Sequence, residues 1–87
     1  MTIKVEKPTP ETVAEMTKLP TWSKEPSVFD WTYDTGETCL LIEGDVTVTT
    51  EDGGEVRFGS GDLVTFPQGL KCTWTVHRPV HKHYRLG

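Results

Sequence analysis

An all-β fold, an antiparallel sandwich or barrel with one short N-terminal helix, is predicted by three observations. From Val28 onward the chain divides into runs of four to eight residues rich in Val, Thr and aromatics. Turn chemistry separates these runs at Asp34-Thr35-Gly36, Glu43-Gly44-Asp45, Asp52-Gly53-Gly54, Gly59-Ser60-Gly61-Asp62 and Pro67-Gln68-Gly69. Within the runs, apolar and polar residues alternate. The chain has 87 residues, room for a single domain. We read it as 1–87, with an N-terminal strand and helix over 1–27 and the barrel core over 28–87. A domain of this size buries roughly 60–65% of the surface its unfolded chain exposes, so its core is modest and any internal pocket is small.

Each element has its own signal. "TIKVEK" alternates and reads as an edge strand that Pro8 closes. In "TPETVAEMTKLP", Thr9 suits the N-cap and Pro10 the first helical position. Val13, Met16 and Leu19 fall on one side, and Pro20 stops the run. "TWSKEP" reads as a loop. The strands that follow are "VFDWTY", "ETCLLIEG", "DVTVTT", "EVRFG", "DLVTFP", "KCTWTVH" and "VHKHYRL". Period-two alternation assigns their faces. Val46 and Val48 oppose Thr47 and Thr49; Cys72, Trp74 and Val76 oppose Thr73 and Thr75; Val64 and Phe66 share a face that begins at Asp62. The Thr-rich faces are read as solvated. "ETCLLIEG" is apolar on both sides, so one face should meet the interior and the other a helix or a partner chain.

Composition narrows the function classes. The net charge is −4 with acids spread along the chain, and the basic cluster at Arg78, Lys82 and Arg85 is read as a strand rim, so no nucleic-acid partner is expected. No stretch approaches ~18 apolar residues and the N-terminus lacks the apolar run of a signal peptide. No membrane association is expected, and a cytoplasmic location is. Cys39 and Cys72 are then expected to be reduced.

The stretch "WTYDTGETC" places Trp31 and Tyr33, then Glu37 and Cys39, on alternate positions. Two aromatics, a carboxylate and a thiol on one face are not the choice of a plain hydrophobic core. Glu37 stands seven residues before Gly44, and "GDLVTFPQGLKC" supplies Gly61, Pro67 and Gly69 ahead of Cys72. With this spacing the sequence resembles a small single-domain cupin, of the family similar to the (S)-ureidoglycine aminohydrolase cupin domain. The resemblance implies a double-sheet jelly-roll barrel. It also implies that Trp31, Tyr33, Glu37 and Cys72 face the interior, where relatives hold a metal ion. Cys39, two residues from Glu37, should face the same way, and Trp74 should join the cluster.

The departures from the family pattern matter. The two histidine positions before the glutamate fall on Trp31 and Tyr33, and the histidine of the second motif falls on Cys72. Indole offers no lone pair and neutral phenol is a poor ligand, whereas first-row metals favour imidazole and carboxylate. No metal and no cofactor are therefore expected, although Glu37 with the two thiols would suit a soft ion such as zinc.

The residues allow several roles. Glu37 is a buried anchor or acid/base whose pKa desolvation would raise, or a structural carboxylate. Each cysteine is a nucleophile or a small buried hydrophobe. A Cys39–Cys72 disulfide needs facing strands, and a reducing compartment argues against it. Trp31, Tyr33 and Trp74 either stack on a flat ligand or fill the core. His81 and His83 have the spacing of a strand metal pair, yet the opposite face, with Lys82, Tyr84 and Leu86, is the more apolar. The histidines are therefore expected to point outward, as is His77; Lys82, turned inward, would pair with Glu37. The leading expectation is a metal-free cupin binding a small polar metabolite. One alternative is an enzyme for C–N hydrolysis or isomerisation of a nitrogen-rich metabolite, with Glu37 as acid/base. In the relative that names the family, ammonia release from ureidoglycine depends on manganese. The other alternative is a structural homodimer built on edge strands.

Overall fold

A computed structural model describes residues 2–87. In chain order its elements are β1 (Lys4–Glu6), α1 (Pro10–Met16), β2 (Thr21–Lys24), β3 (Ser27–Thr32), β4 (Glu37–Thr50), β5 (Glu55–Gly59), β6 (Leu63–Phe66) and β7 (Lys71–Leu86). The helix starts as its sequence predicts. The Thr9 hydroxyl accepts from the Thr12 amide at 3.2 Å, and Pro10 occupies the first turn. Met16 is fully buried and packs with Leu40, Leu63 and Leu19, so this apolar side of "ETCLLIEG" does meet the helix. Val13, expected on the same side, is exposed, because the helix is only seven residues long and docks through its C-terminal end.

Two long strands organise the barrel. The expected turn at Glu43-Gly44-Asp45 does not form, and "ETCLLIEG" and "DVTVTT" run on as the 14-residue β4. "KCTWTVH" and "VHKHYRL" likewise join as the 16-residue β7. The two pair antiparallel along their length, with register breaks between Leu41 and Val46. Gly44 has φ of +133°, and Pro79, which donates no amide hydrogen, sits in β7 across from the same irregularity. Bulges bend strands where a turn would reverse them. Each long strand therefore contributes one half to each of two packed layers.

In one layer, β6 and the second half of β7 flank the first half of β4, with β1 beyond β6 and β2 beyond β7. In the other, β5 and the first half of β7 flank the second half of β4, and β3 lies beyond β7. The main core lies between the layers and includes Cys39, Leu41, Val46, Val48, Val64, Phe66, Cys72, Trp74 and Val76. These are the faces that alternation predicts. One correction concerns "TWSKEP", expected as a loop. Thr21–Lys24 is a strand paired to β7, with Trp22 opposite Lys82. Its own burial shows no clear alternation, so only the partner strand makes it a strand.

A Cβ at Gly44 would stand 3.0 Å from Val80 Cα, whereas one at Gly53, also at positive φ, would meet nothing within 4 Å. Gly53→Ala is expected to cost about 1 kcal/mol of backbone strain. Gly44→Ala should cost at least ~2 kcal/mol more, through overlap at the bend. Urea denaturation of both variants checks the difference, and equal losses would refute the close approach.

Candidate functional site

The site begins with two alternating strands that aim side chains into one hollow. On β3 and the residue after it, Phe29, Trp31 and Tyr33 share a face; on β7, Trp74 and then Lys82, Tyr84 and Leu86 share another. Together with Trp22 of β2 and Glu37 of β4 they line a cavity of about 240 Å³ open at one end. Trp31 and Leu86 form its rim and are 47% and 62% exposed. The aromatic groups lock one another: Phe29 stacks on Trp74 with centroids 6.0 Å apart, Tyr33 stacks on Phe66 at 4.5 Å, and Trp31 meets Tyr33 edge-on at 6.4 Å.

An ion pair lies within this collar. Lys82 Nζ donates to Glu37 Oε2 at 2.5 Å, and the side chains are only 6% and 9% exposed. Lys82 stands opposite Leu41, four positions along β4 from Glu37, so its side chain reaches along the strand to meet the carboxylate. The ammonium also lies 5.1 Å from the ring centroids of both Trp22 and Trp74. Tyr33 accepts from Trp74 Nε1 at 3.2 Å. Burial, then the nearby Glu37 carboxylate, pushes the Tyr33 phenol far up, so it stays protonated at any physiological pH.

The structure brings Trp31, Tyr33, Glu37 and Trp74 to this cavity and leaves the two cysteines out. Cys39 is fully buried in the core and does not line this cavity. Its thiol is pushed up to about 12, chiefly by burial; Lys82 pulls it down and Glu37 pushes it up. Cys72 belongs to the other layer, across from Trp31 on β3 and Thr50 on β4. It borders a separate polar cavity with Asp30, Thr49 and Thr73, and its Sγ donates to the Trp31 carbonyl at 3.6 Å. Burial, then Asp30, pushes it up to about 11. Both cysteines are free thiols. His83 turns from the cavity to contact the Leu19 carbonyl at 2.9 Å, and His77 contacts Thr47 Oγ1 at 2.8 Å on the Thr-rich face.

This donor set does not fit the ion that the cupin resemblance implies. At the positions in question stand an indole, a protonated phenol and a thiol aimed elsewhere, and the one carboxylate already holds an ammonium. Among the described residues, no three His, Cys, Asp or Glu side chains come together. No helix among them is long and apolar enough to cross a membrane.

Phe29, Trp22 and Tyr84 are site residues that the sequence reading does not single out. Phe29 was within reach of the alternation rule, two residues before Trp31. Trp22 carried no local signal.

Comparison with known proteins places this geometry. The EutQ-like cupin domain family matches residues 12–84. A DUF861 family protein from Thermotoga maritima is 57% identical, with a TM-score of 0.95, over 99% of this chain and 100% of that one. The Clostridium difficile EutQ protein is 26% identical with a TM-score of 0.69, over 76% of this chain and 52% of its own. A Pseudomonas syringae protein of unknown function in the DUF861 family is 31% identical with a TM-score of 0.70, over 77% of this chain and 29% of that one. No protein of curated function matches.

Lys82→Met and Glu37→Gln are each expected to lower the unfolding free energy by about 3–5 kcal/mol, because each strands a buried partner. The double variant should lose less than the sum, as urea denaturation will measure; strictly additive losses would show that the charges do not act as a pair. Near pH 8 both thiols should resist an aromatic disulfide reagent in the native protein, Cys39 reacting only as the chain unfolds and Cys72 more readily than Cys39. Rapid native labelling of Cys39 would contradict its placement.

Proposed function

The chain belongs to the EutQ-like cupin domain family, and on that premise we propose that it is a metal-independent cupin that binds a small polar metabolite in its aromatic cavity. One observation carries the reading: the Glu37–Lys82 pair lies buried within a cavity open at one end. A buried ion pair adds little stability over apolar residues of similar volume. Its position at an accessible hollow, and not under sealed core, supports a role toward a ligand. Trp31 and Tyr33 serve as walls, with Trp22, Phe29 and Trp74 completing the collar.

The C–N hydrolysis suggested by likeness to (S)-ureidoglycine aminohydrolase calls for Glu37 as a free acid/base. Held by Lys82, that carboxylate is better suited to anchoring than to proton transfer. The donor set likewise gives a manganese-dependent reaction no support.

Thermal-shift measurements against a metabolite panel test the proposal, each variant read against its own unliganded midpoint. A true ligand at about 100 times its Kd adds about 2.7 kcal/mol, which in a domain of this size raises the midpoint by about 10 °C or more. Glu37→Gln is expected to abolish most of that shift. Shifts that survive the substitution unchanged would remove Glu37 from the anchor role. Stoichiometric manganese, iron or zinc in protein purified without a histidine tag would overturn the metal-independent reading.

A further inference from the structure

The geometry points to a ligand class: a neutral, flat ring carrying a lactam edge, an N–H and a C=O side by side, which slides between the aromatic walls and docks that edge on the Glu37–Lys82 pair. This inference rests on the binding role proposed above and adds the chemistry of what is bound.

Charge selects against ions. The anchor is one carboxylate and one ammonium in contact, so its net charge is zero. A ligand carboxylate that approached Lys82 would also face Glu37, and a ligand ammonium that approached Glu37 would also face Lys82. In a site screened so little by water, either ion meets repulsion that offsets much of its attraction. It would also surrender its own hydration, which aromatic walls do not replace. A neutral donor–acceptor pair has no such conflict.

Hydrogen-bond capacity selects for a paired edge. Among the described residues, Glu37 Oε1 makes no hydrogen bond within the protein, and Lys82 spends one of its three N–H groups, on Oε2. The other two are left among aromatic rings. The pair thus offers one acceptor and spare donors next to each other. By standard amide bond lengths, the N and O of a lactam edge are about 2.3 Å apart, close enough for one edge to face both Glu37 and Lys82, which are themselves in contact through Oε2 and Nζ. The N–H is placed to donate to Oε1, and the C=O to accept from Nζ.

Size and shape agree. A cavity of about 150 Å³ takes a benzene ring; the 240 Å³ here takes one ring with a small substituent. The collar of indoles and phenyl rings presents π-faces to a flat guest.

Titration of the full-length protein with 2-pyridone, N-methyl-2-pyridone, benzoate and benzylamine, followed by the three indole N–H resonances and by calorimetry, tests the class. 2-Pyridone is expected to shift the Trp22 and Trp74 signals and to bind at least tenfold tighter than the other three. Glu37→Gln, which leaves an uncompensated ammonium, should reverse the order in favour of benzoate. Should that variant fail to fold, the four-compound comparison on the unaltered protein decides alone. If benzoate or benzylamine binds the unaltered protein more tightly than 2-pyridone, the lactam class is overturned while the binding role stands. If N-methylation leaves affinity unchanged, the N–H contact to Glu37 is refuted. If none of the four perturbs the indoles, the lactam class falls, and the metabolite panel alone then decides the binding role.

Discussion

A carboxylate and an ammonium taken out of water together set the terms for the rest of this molecule. Each would cost several kcal/mol to bury alone. Glu37 and Lys82 are tolerable inside an 87-residue barrel because they touch, and because Trp22 and Trp74 place their π-faces near the cation. Holding two charges in contact demands that β2, β3, β4 and β7 keep fixed positions. β4 and β7 carry the charges; β2 and β3 carry the walls that keep water away. Loss of either charged partner would leave an ion facing apolar surface, and loss of a wall would let water reach the pair.

The bend in the two long strands makes this arrangement reachable. Gly44 and Pro79 turn β4 and β7 from one layer to the other without ending either strand. Trp74 and Lys82, on the two limbs of β7, therefore converge on one hollow from different layers. A hairpin at Gly44 would have put the two limbs side by side in one sheet, with no enclosed space between them. Cys72, on the same limb of β7 as Trp74, borders instead a second and more polar cavity.

Within the cupin framework, the ion-binding end of the barrel has here been given different chemistry. Where the resemblance expects imidazoles around a metal, the chain has Trp31 and Tyr33, and its positive charge is covalently tethered as Lys82. A fixed ammonium orients and donates hydrogen bonds, but it supplies no open coordination position and no Lewis acidity beyond its protons. The family relationship therefore accounts for the shape of the hollow, and the side chains account for what enters it.

Much of the fold was legible in the chain because alternation and turn residues act locally. Val46 and Val48, Cys72 with Trp74 and Val76, and Thr9 at the helix start all lie where their neighbours in sequence put them. The spacing of Glu37 to Gly44 and of Gly61 to Pro67 and Gly69 was enough to indicate a cupin, though not the EutQ-like branch to which the chain belongs. The sequence by itself thus determined the strand faces and the helix cap, and its family resemblance the inward direction of Tyr33 and Glu37; that Lys82 turns in to meet Glu37 was one option among others until the strands were placed. Only the tertiary structure decided that Gly44 bends a strand instead of reversing it, since a positive φ serves a bulge as well as a turn. It alone made a strand of Thr21–Lys24, whose hydrogen-bond partner lies some sixty residues away. It alone kept Cys39 and Cys72 from the cavity, because period-two alternation says which face a residue occupies but not how far along the strand the hollow extends.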